Sequence, residues 1–365
     1  MTLLCRLSLR KKPRTFNRND GVFMKNDVFI LGAGSSASYG FPTGEQLKKI
    51  IINDGIEIHP DVYRHEDPKF YEDDDNFNSY YNSCIEYFTK KINPNFDKEK
   101  FKKDFRTAGS FTIDTYLSSP HRSDEEKEFG KYIVSSIISY YEDLDRMEMD
   151  HTDNWIDYYF NRKISFQTKD FFENLPKVIS FNYDSFFENK LIHHLEKEHG
   201  IKDAKSVLNT RDFITHVYGK LNNQPYRQSN KQILTQPGAY VQQEIDFKTI
   251  YDNSKQVGFI RGNIDSNNNN PFYLAKLSRI HEIIKEADNI FILGYGFDMY
   301  NNKILFQDQR LLEDTTKRIM YTSYGLENTL IEDLNRFDAI KNTNQVKNEK
   351  CLEFLRRTMP HQLFP

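Results

Sequence analysis

Hydrophobic and polar positions divide the chain into short apolar runs that alternate with amphipathic stretches. Runs at 27–31, 177–181, 213–219, 289–293 and 318–322 have the apolar content expected of strands in a buried sheet. The stretches between them carry apolar residues at helical spacing. This alternation predicts an α/β fold with a doubly wound, parallel, Rossmann-like sheet.

One long region interrupts the alternation. Between residues 54 and about 167 the strand patterns nearly vanish and helical spacing dominates. The longest expected helix covers 124–147, where Phe129, Ile133 and Ile137 lie on one apolar face. We therefore expect a helical lobe inserted into an α/β domain that spans 26–325.

Three further segments complete the expected organisation. Residues 1–25 form a basic N-terminal arm, which would be either a disordered arm or a partner-docking segment. Residues 222–270 are polar and predict a long excursion with some extended structure, in the manner of a flap. Residues 326–365 have the pattern of C-terminal helices.

Charge and hydropathy bear on two kinds of partner. The 365-residue chain has 28% charged residues and a formal net charge of -3, which gives no bulk attraction to nucleic acid and leaves direct nucleic-acid binding open. No apolar run approaches the roughly 18 residues needed to cross a bilayer, so no membrane partner is expected.

The cysteines bear on metal binding and on location. Cys5, Cys84 and Cys351 are far apart, and no Cys-x-x-Cys occurs, so we expect no cysteine-based zinc site. Three scattered cysteines fit a reducing compartment, which predicts a cytoplasmic protein.

The first apolar run ends in a glycine turn, Gly32-Ala33-Gly34-Ser35. If a helix begins near Ser35, its unpaired N–H groups and its dipole face the turn, which suits a pyrophosphate. Many such turns contain glycine for steric reasons alone. The third glycine and the acidic residue of the dinucleotide fingerprint are missing, so the turn is not that of an ordinary dehydrogenase.

Polar side chains follow other apolar runs, where ligands of a parallel sheet bind. Asn182 would face a ligand or form an Asx turn, and Asp184 would face it or cap the next helix. His216 would be catalytic or a packed core residue. Within the helical lobe, Asp114 would cap a helix or face the same cleft.

Taken together, these segments resemble bacterial sirtuin-like NAD-consuming domains, particularly those of anti-phage defence proteins. The resemblance covers roughly residues 27–324 in patches. The matching segments are FILGAGSS (29–36), FPTG (41–44), SFTIDTYL (110–117), SFNYD (180–184), HVYG (216–219) and ILGYGF (292–297).

The resemblance implies a role for each matched position. The diphosphate of NAD would be held by Gly32, Ala33, Gly34 and Ser35, and Thr43 would lie by the nicotinamide-side ribose. Asn182 would orient the ribose and the attacking water, Asp184 would shape the nicotinamide pocket, and His216 would be the base. The adenosine half would be contacted by Gly294, Tyr295 and Gly296, with Thr322 and Ser323 nearby.

Protein-deacylating sirtuins carry a four-cysteine zinc module that this chain cannot build. Val217 and Tyr218 also separate His216 from the glycine that usually follows at once. We therefore expect water to be the acceptor, so that NAD is the substrate of an NAD+ glycohydrolase releasing nicotinamide and ADP-ribose. A sensor of NAD or ADP-ribose without turnover and a sirtuin-type deacylase or ADP-ribosyltransferase remain alternatives. The resemblance also implies a homo-oligomer, and a partner such as a HerA-type ATPase or another defence protein.

Overall fold

A computed structural model of the chain describes residues 26–56, 74–110, 112–142, 153–163, 175–209, 213–221, 246–258, 271–306, 310–314, 316–341 and 348–359. The expected N-terminal arm lies outside the described residues, as do most of the expected flap and parts of the helical lobe and the C-terminal segment.

A sheet of five parallel strands forms the centre of the described structure. The strands are β1 (Asp27–Leu31), β2 (Lys177–Ser180), β3 (Ile214–His216), β4 (Asn289–Leu293) and β5 (Arg318–Tyr321). Their order is β3-β2-β1-β4-β5, and every neighbouring pair is parallel. The predicted Rossmann-like α/β fold is confirmed.

The strand order determines where a ligand would bind. The chain moves outward from β1 to β3 and then returns to the other side of β1 to form β4. The connections after β1 and β4 therefore leave in opposite directions, which opens a crevice at the carboxyl edge of the sheet. The turns after β1, β2, β4 and β5, which carry most of the predicted site residues, lie at that edge.

Burial explains why the strands could be read from the sequence. Every residue of β1 and of β4 is buried, including Asp27 and Asn289, whose side chains hydrogen-bond to each other at 2.9 Å. A strand covered on both faces needs apolar side chains on both, so it appears as a continuous apolar run.

Helices of the described residues connect and flank the strands. They are α1 (Gly34–Ala37), α2 (Gly44–Asn53), α3 (Asp74–Tyr87, continued as a π-helical turn over Phe88–Ile92), α4 (Lys98–Thr107), α5 (Ile113–Leu117), α6 (Asp124–Tyr141), α7 (Trp155–Lys163), α8 (Phe186–Lys197), α9 (Ala204–Asn209), α10 (Phe247–Ser254), α11 (Pro271–Glu286), α12 (Met299–Leu305), α13 (Arg310–Glu313), α14 (Asn328–Leu334), α15 (Asp338–Lys341) and α16 (Cys351–Thr358).

The described parts of the region between α2 and β2 contain helices and no strand, as the sequence predicts. Its longest helix, α6, begins with a capping box formed by Ser123 and Glu126. It ends at Tyr141, since Glu142 leaves the helical conformation. The rest of the expected helix, 143–147, lies outside the described residues. Aromatic rings fill the lobe, with Phe129 against Phe96 at 4.4 Å between centroids.

One further expectation changes in the described structure, and another is met. The part of the expected flap that is described, 246–258, is not extended but contains helix α10, which packs on α6. The expected C-terminal helices are present as α14, α15 and α16. Among the helices that the structure describes, none is long and apolar enough to cross a membrane.

Candidate functional site at the carboxyl edge of the sheet

Two glycine turns contact each other at the centre of this edge. The N–H of Gly32 donates to the carbonyl oxygen of Leu293 at 3.0 Å, and the N–H of Gly34 donates to that of Gly294 at 2.9 Å. A Cβ on Gly32 would lie 2.6 Å from the Gly294 oxygen, and one on Gly34 would lie 2.9 Å from the Gly294 Cα. Glycine is needed here because the two backbones touch.

Backbone N–H groups of the first glycine turn, which were expected to hold a diphosphate, donate hydrogen bonds within the protein. Ser35 N–H donates to the Gly32 oxygen at 2.9 Å, and Ser36 N–H donates to the Ala33 oxygen at 3.2 Å. Helix α1 is only four residues long. The turn is therefore closed by internal hydrogen bonds, and diphosphate binding by Gly32, Ala33, Gly34 and Ser35 stays a prediction.

A buried polar network joins the ends of β1 and β2. Asn182 Nδ2 donates to Ser35 Oγ at 3.3 Å and to Ser36 Oγ at 3.1 Å. Ser36 Oγ in turn donates to Asp184 Oδ2 at 3.1 Å, and Ser35 Oγ to the Gly32 oxygen at 2.7 Å. The predicted pair Asn182 and Asp184 is thus brought together with the glycine turn.

Asp184 contacts the start of a helix, close to the capping role that the sequence left open, and its role at a ligand stays a prediction. Its Oδ1 accepts the N–H of Phe186, the first residue of α8, at 3.1 Å, while its other oxygen faces Ser36. Burial raises the pKa of Asp184, against these two hydrogen bonds, which favour the ionised form. The side chain both supports the start of α8 and takes part in the network.

The amide oxygen of Asn182 has a different environment from its nitrogen. Asn182 is buried, and within the described part of the chain its Oδ1 has no hydrogen-bond partner. A buried polar atom without a partner is costly and is uncommon in folded proteins. Since Nδ2 is anchored on two hydroxyls, Oδ1 is an acceptor held in place without a donor among the described residues.

His216, at the end of β3, contacts a residue that sequence analysis did not single out. Its Nε2 lies 3.3 Å from Glu188 Oε2, and its Nδ1 lies 3.3 Å from the backbone oxygen of Asn182. Lys220 Nζ also donates to Glu188 Oε1 at 3.1 Å. Burial acts to raise the pKa of Glu188, but His216 and Lys220 outweigh it and hold that pKa below its ordinary value.

This geometry bears on the chemistry of the imidazole. Both ring nitrogens face acceptor oxygens, a backbone carbonyl and a carboxylate, and the tautomer decides which nitrogen donates. In either neutral tautomer, the nitrogen that does not donate also lies 3.3 Å from an acceptor oxygen. Both nitrogens are therefore directed at oxygens of the protein.

Asp114 reaches the same edge from the helical lobe. The hydroxyl of Tyr183, between Asn182 and Asp184 in the chain, donates to Asp114 Oδ1. The prediction that Asp114 caps a helix is wrong: Thr112 caps α5 and accepts the N–H of Thr115 at 3.2 Å, since it precedes the first helical residue. The alternative, that Asp114 faces the cleft, fits the contact with Tyr183.

The remaining predicted residues do not join this network. Thr43 caps α2 in a capping box with Gln46. Gly296 is exposed, whereas Tyr295 is buried and its hydroxyl has no partner among the described residues. Ser323 Oγ accepts the N–H of Glu349 at 3.1 Å, which ties the end of β5 to the segment before α16.

Two contributors were missed for identifiable reasons. Ser36 belongs to the glycine-turn segment, but its hydroxyl becomes important only because it lies between Asn182 and Asp184. Glu188 lies in the first turn of α8, four residues after Asp184, which precedes the helix. An acidic side chain at the start of the helix after β2 is the signal that could have pointed to Glu188.

A scan against protein-family models finds no match to this chain, and no curated protein matches its sequence significantly. Among the described residues, no group of three or more His, Cys, Asp or Glu side chains is placed to hold a metal ion. Function is therefore inferred from the side chains that the fold brings to one edge.

Proposed function

We propose that the protein is an NAD+ nucleosidase, which cleaves the bond between nicotinamide and ribose and releases nicotinamide and ADP-ribose. The observation that carries the proposal is Asn182, whose amide nitrogen is fixed by Ser35 and Ser36 while its buried Oδ1 has no partner among the described residues. A fixed amide oxygen can accept a hydrogen bond from a ribose hydroxyl or from the attacking water.

The reaction suits such a site. The nicotinamide ring of NAD+ is cationic and leaves as a neutral molecule, so no acid has to protonate it. The protein has to hold the ribose, stabilise an oxocarbenium-like centre and admit water, as in other glycosidic cleavages. A neutral amide can orient water without adding a charge to the site.

Location supports the proposal as well. Ligands of doubly wound sheets bind beyond the carboxyl ends of the strands, and the polar network lies there. The family resemblance of these segments extends the proposal to NAD depletion in anti-phage defence, with a homo-oligomer, a HerA-type ATPase or another defence protein as partner. Cytoplasmic location belongs to the same proposal.

Nicotinamide release from NAD+ by the purified chain tests the proposal directly. Asn182→Ala should abolish release, whereas Asn95→Ala, at an exposed asparagine of the helical lobe, should leave it unchanged. The assay should be repeated with candidate partners and nucleic acid, because an NAD-depleting enzyme has to be restrained. Undiminished release by Asn182→Ala would refute the assignment of Asn182.

A nucleotide sensor without turnover is the second candidate, favoured by the engagement of both His216 nitrogens with acceptors. Calorimetry distinguishes the two functions. A sensor would bind NAD+ or ADP-ribose and release no nicotinamide with any partner.

A further inference from the structure

We infer that Asp114 accepts the proton of the attacking water in the proposed NAD+ hydrolysis, a role that the family resemblance gives to His216. The inference rests on the proposed function and names an acid–base residue for it. It stands on the contacts of His216, on the position of Asp114 and on the surroundings of its carboxyl group.

The contacts of His216 leave the reaction without an obvious base. Both ring nitrogens lie 3.3 Å from acceptor oxygens, one on the backbone of Asn182 and one on Glu188. Its side chain is only 8% exposed. A general base needs a lone pair within hydrogen-bond reach of the proton that it removes.

Asp114 is placed by a short helix with one buried face. Ile113, Tyr116 and Leu117 of α5 are buried, while Asp114 is only partly buried. The start of α5 lies against the start of α2, since a Cβ on Gly44 would lie 3.3 Å from Thr112 Cγ2. This contact puts Thr112, two residues before Asp114, beside the residue that follows Thr43.

The bond from Tyr183 fixes the carboxyl group relative to Asn182. Tyr183 directly follows Asn182, and its ring lies 5.7 Å from that of Tyr218, two residues beyond His216. The Tyr218 hydroxyl donates to Asn301 Oδ1 on α12. One layer of aromatic side chains therefore connects Asp114 with the ends of β2 and β3 and with the residues after β4.

The groups around Asp114 favour a proton acceptor that works near neutrality. Burial raises the pKa of Asp114 to about 6, against the Tyr183 hydrogen bond and with a contribution from Asp298. The charge of Asp114 also contributes to raising the pKa of Tyr218, after the larger effect of burial. A carboxylate with such a pKa is ionised at pH 7 and is a stronger base than an exposed aspartate.

Helices α2 and α6 also pack on α5, and a charged group on each has contacts of its own. Lys48 of α2 donates to the backbone oxygen of Ser110. Glu126 of α6 accepts from Tyr116 and lies 3.4 Å from Arg122. The ionisation of Asp114 is thus governed mainly by burial, by Tyr183 and by Asp298.

The proposed step balances without a co-reactant. The water oxygen forms a bond to C1′ of the ribose, and the C1′–N bond breaks with its electron pair going to the pyridinium ring. One water proton passes to the Asp114 carboxylate. Neutral nicotinamide and ADP-ribose leave, and Asp114 returns the proton to solvent.

The pH dependence of nicotinamide release, compared between the wild type and Asp114→Asn, tests the inference. Asparagine keeps an oxygen that can accept the Tyr183 hydroxyl and removes the base. We expect kcat to fall about 10²- to 10⁴-fold, with KM changed less than about threefold. We also expect the acid limb of the wild-type profile, near pH 6, to disappear.

Two variants serve as controls. Asp114→Glu keeps a carboxylate and should retain more activity than Asp114→Asn, which also covers the case in which the asparagine variant does not fold. Asp252→Asn, at an exposed acid on α10, should behave as the wild type. Thermal unfolding of each variant establishes that it is folded.

The possible failures are distinguishable. A wild type that releases no nicotinamide under any activating condition overturns both the hydrolysis and the role of Asp114. An active wild type whose acid limb and kcat survive in Asp114→Asn overturns the role of Asp114 alone. If Asp114→Glu is no more active than Asp114→Asn, the inference also fails, because the carboxylate then contributes nothing.

Discussion

The contact between the two glycine turns makes Gly294→Ala a sharp test of the structure. Gly294 has a φ of +58°, and a Cβ on it would overlap the backbone nitrogen of Ser35 and the carbonyl carbon of Gly34. These are backbone atoms, so no side-chain rotation relieves the overlap. Either the two turns separate or β4 shifts relative to β1.

The expected cost has two parts. A left-handed conformation costs an alanine roughly 1–2 kcal/mol relative to glycine. Inserting a methyl group into a packed site adds roughly 1–3 kcal/mol, with backbone neighbours at the upper end. Together they predict a loss of roughly 2–5 kcal/mol, a large part of the roughly 5–15 kcal/mol that stabilises a folded domain.

Substitutions at two other glycines measure the conformational cost and the packing cost separately. Gly325 has a φ of +74° and no atom within 4 Å of an added Cβ, so Gly325→Ala carries the conformational cost alone. Gly296 also has no such neighbour, and its φ is outside the left-handed range, so Gly296→Ala should change stability by less than about 0.5 kcal/mol.

Urea unfolding and thermal unfolding, both monitored by circular dichroism, measure the stability of the three variants. The expected order of destabilisation is Gly294→Ala, then Gly325→Ala, then Gly296→Ala. If Gly294→Ala is no less stable than Gly325→Ala, the turns do not touch as described. Gly32 and Gly34 would then need another explanation.

Three further predictions follow from particular contacts. Asp114 has a pKa raised from 3.8 to about 6 by burial, so the folded state binds its proton more tightly. Its contribution to the free energy of unfolding should therefore grow as pH falls from about 6 to about 4, by roughly 1–3 kcal/mol after allowance for its partial exposure. Unfolding experiments on Asp114→Asn should not show this rise. Glu188 has a lowered pKa, so its contribution is present above about pH 4.5 and is lost as pH falls further; Glu188→Gln should flatten that acid loss. Trp155 is the single tryptophan, and its Nε1 donates to the Ser35 oxygen at 2.8 Å. Binding of ADP-ribose at the glycine turn should therefore change the intrinsic fluorescence. An unchanged spectrum at saturation would place the ligand elsewhere.

The fold was predictable because its signals are local. Strands buried on both faces need continuous apolar runs, and β1 and β4 each supply one. The glycine turn and the Asn182 to Asp184 segment follow two such strands, and parallel strands bring their carboxyl ends to one edge. Sequence alone therefore predicted that Asn182 and the turn lie together.

Helix ends and loop conformation were less predictable. Thr112 and Asp114 are both residue types that cap helices, and only the backbone path assigns the cap to Thr112. The segment 246–258 contains helix α10, which packs on α6. The polar composition of the segment does not indicate this contact.

What the sequence determined is the sheet, its order of strand-end motifs and the polar residues at its carboxyl edge. Only the tertiary structure decided which atoms those residues face. The glycines allow two turns to contact each other, and Glu188 contacts a ring nitrogen of His216. Asp114, on a helix far away in the chain, accepts a hydrogen bond from Tyr183. The reason is physical: strand formation follows from the apolar pattern along the chain, whereas hydrogen-bond partners, burial and pKa depend on groups that only folding brings within a few ångströms.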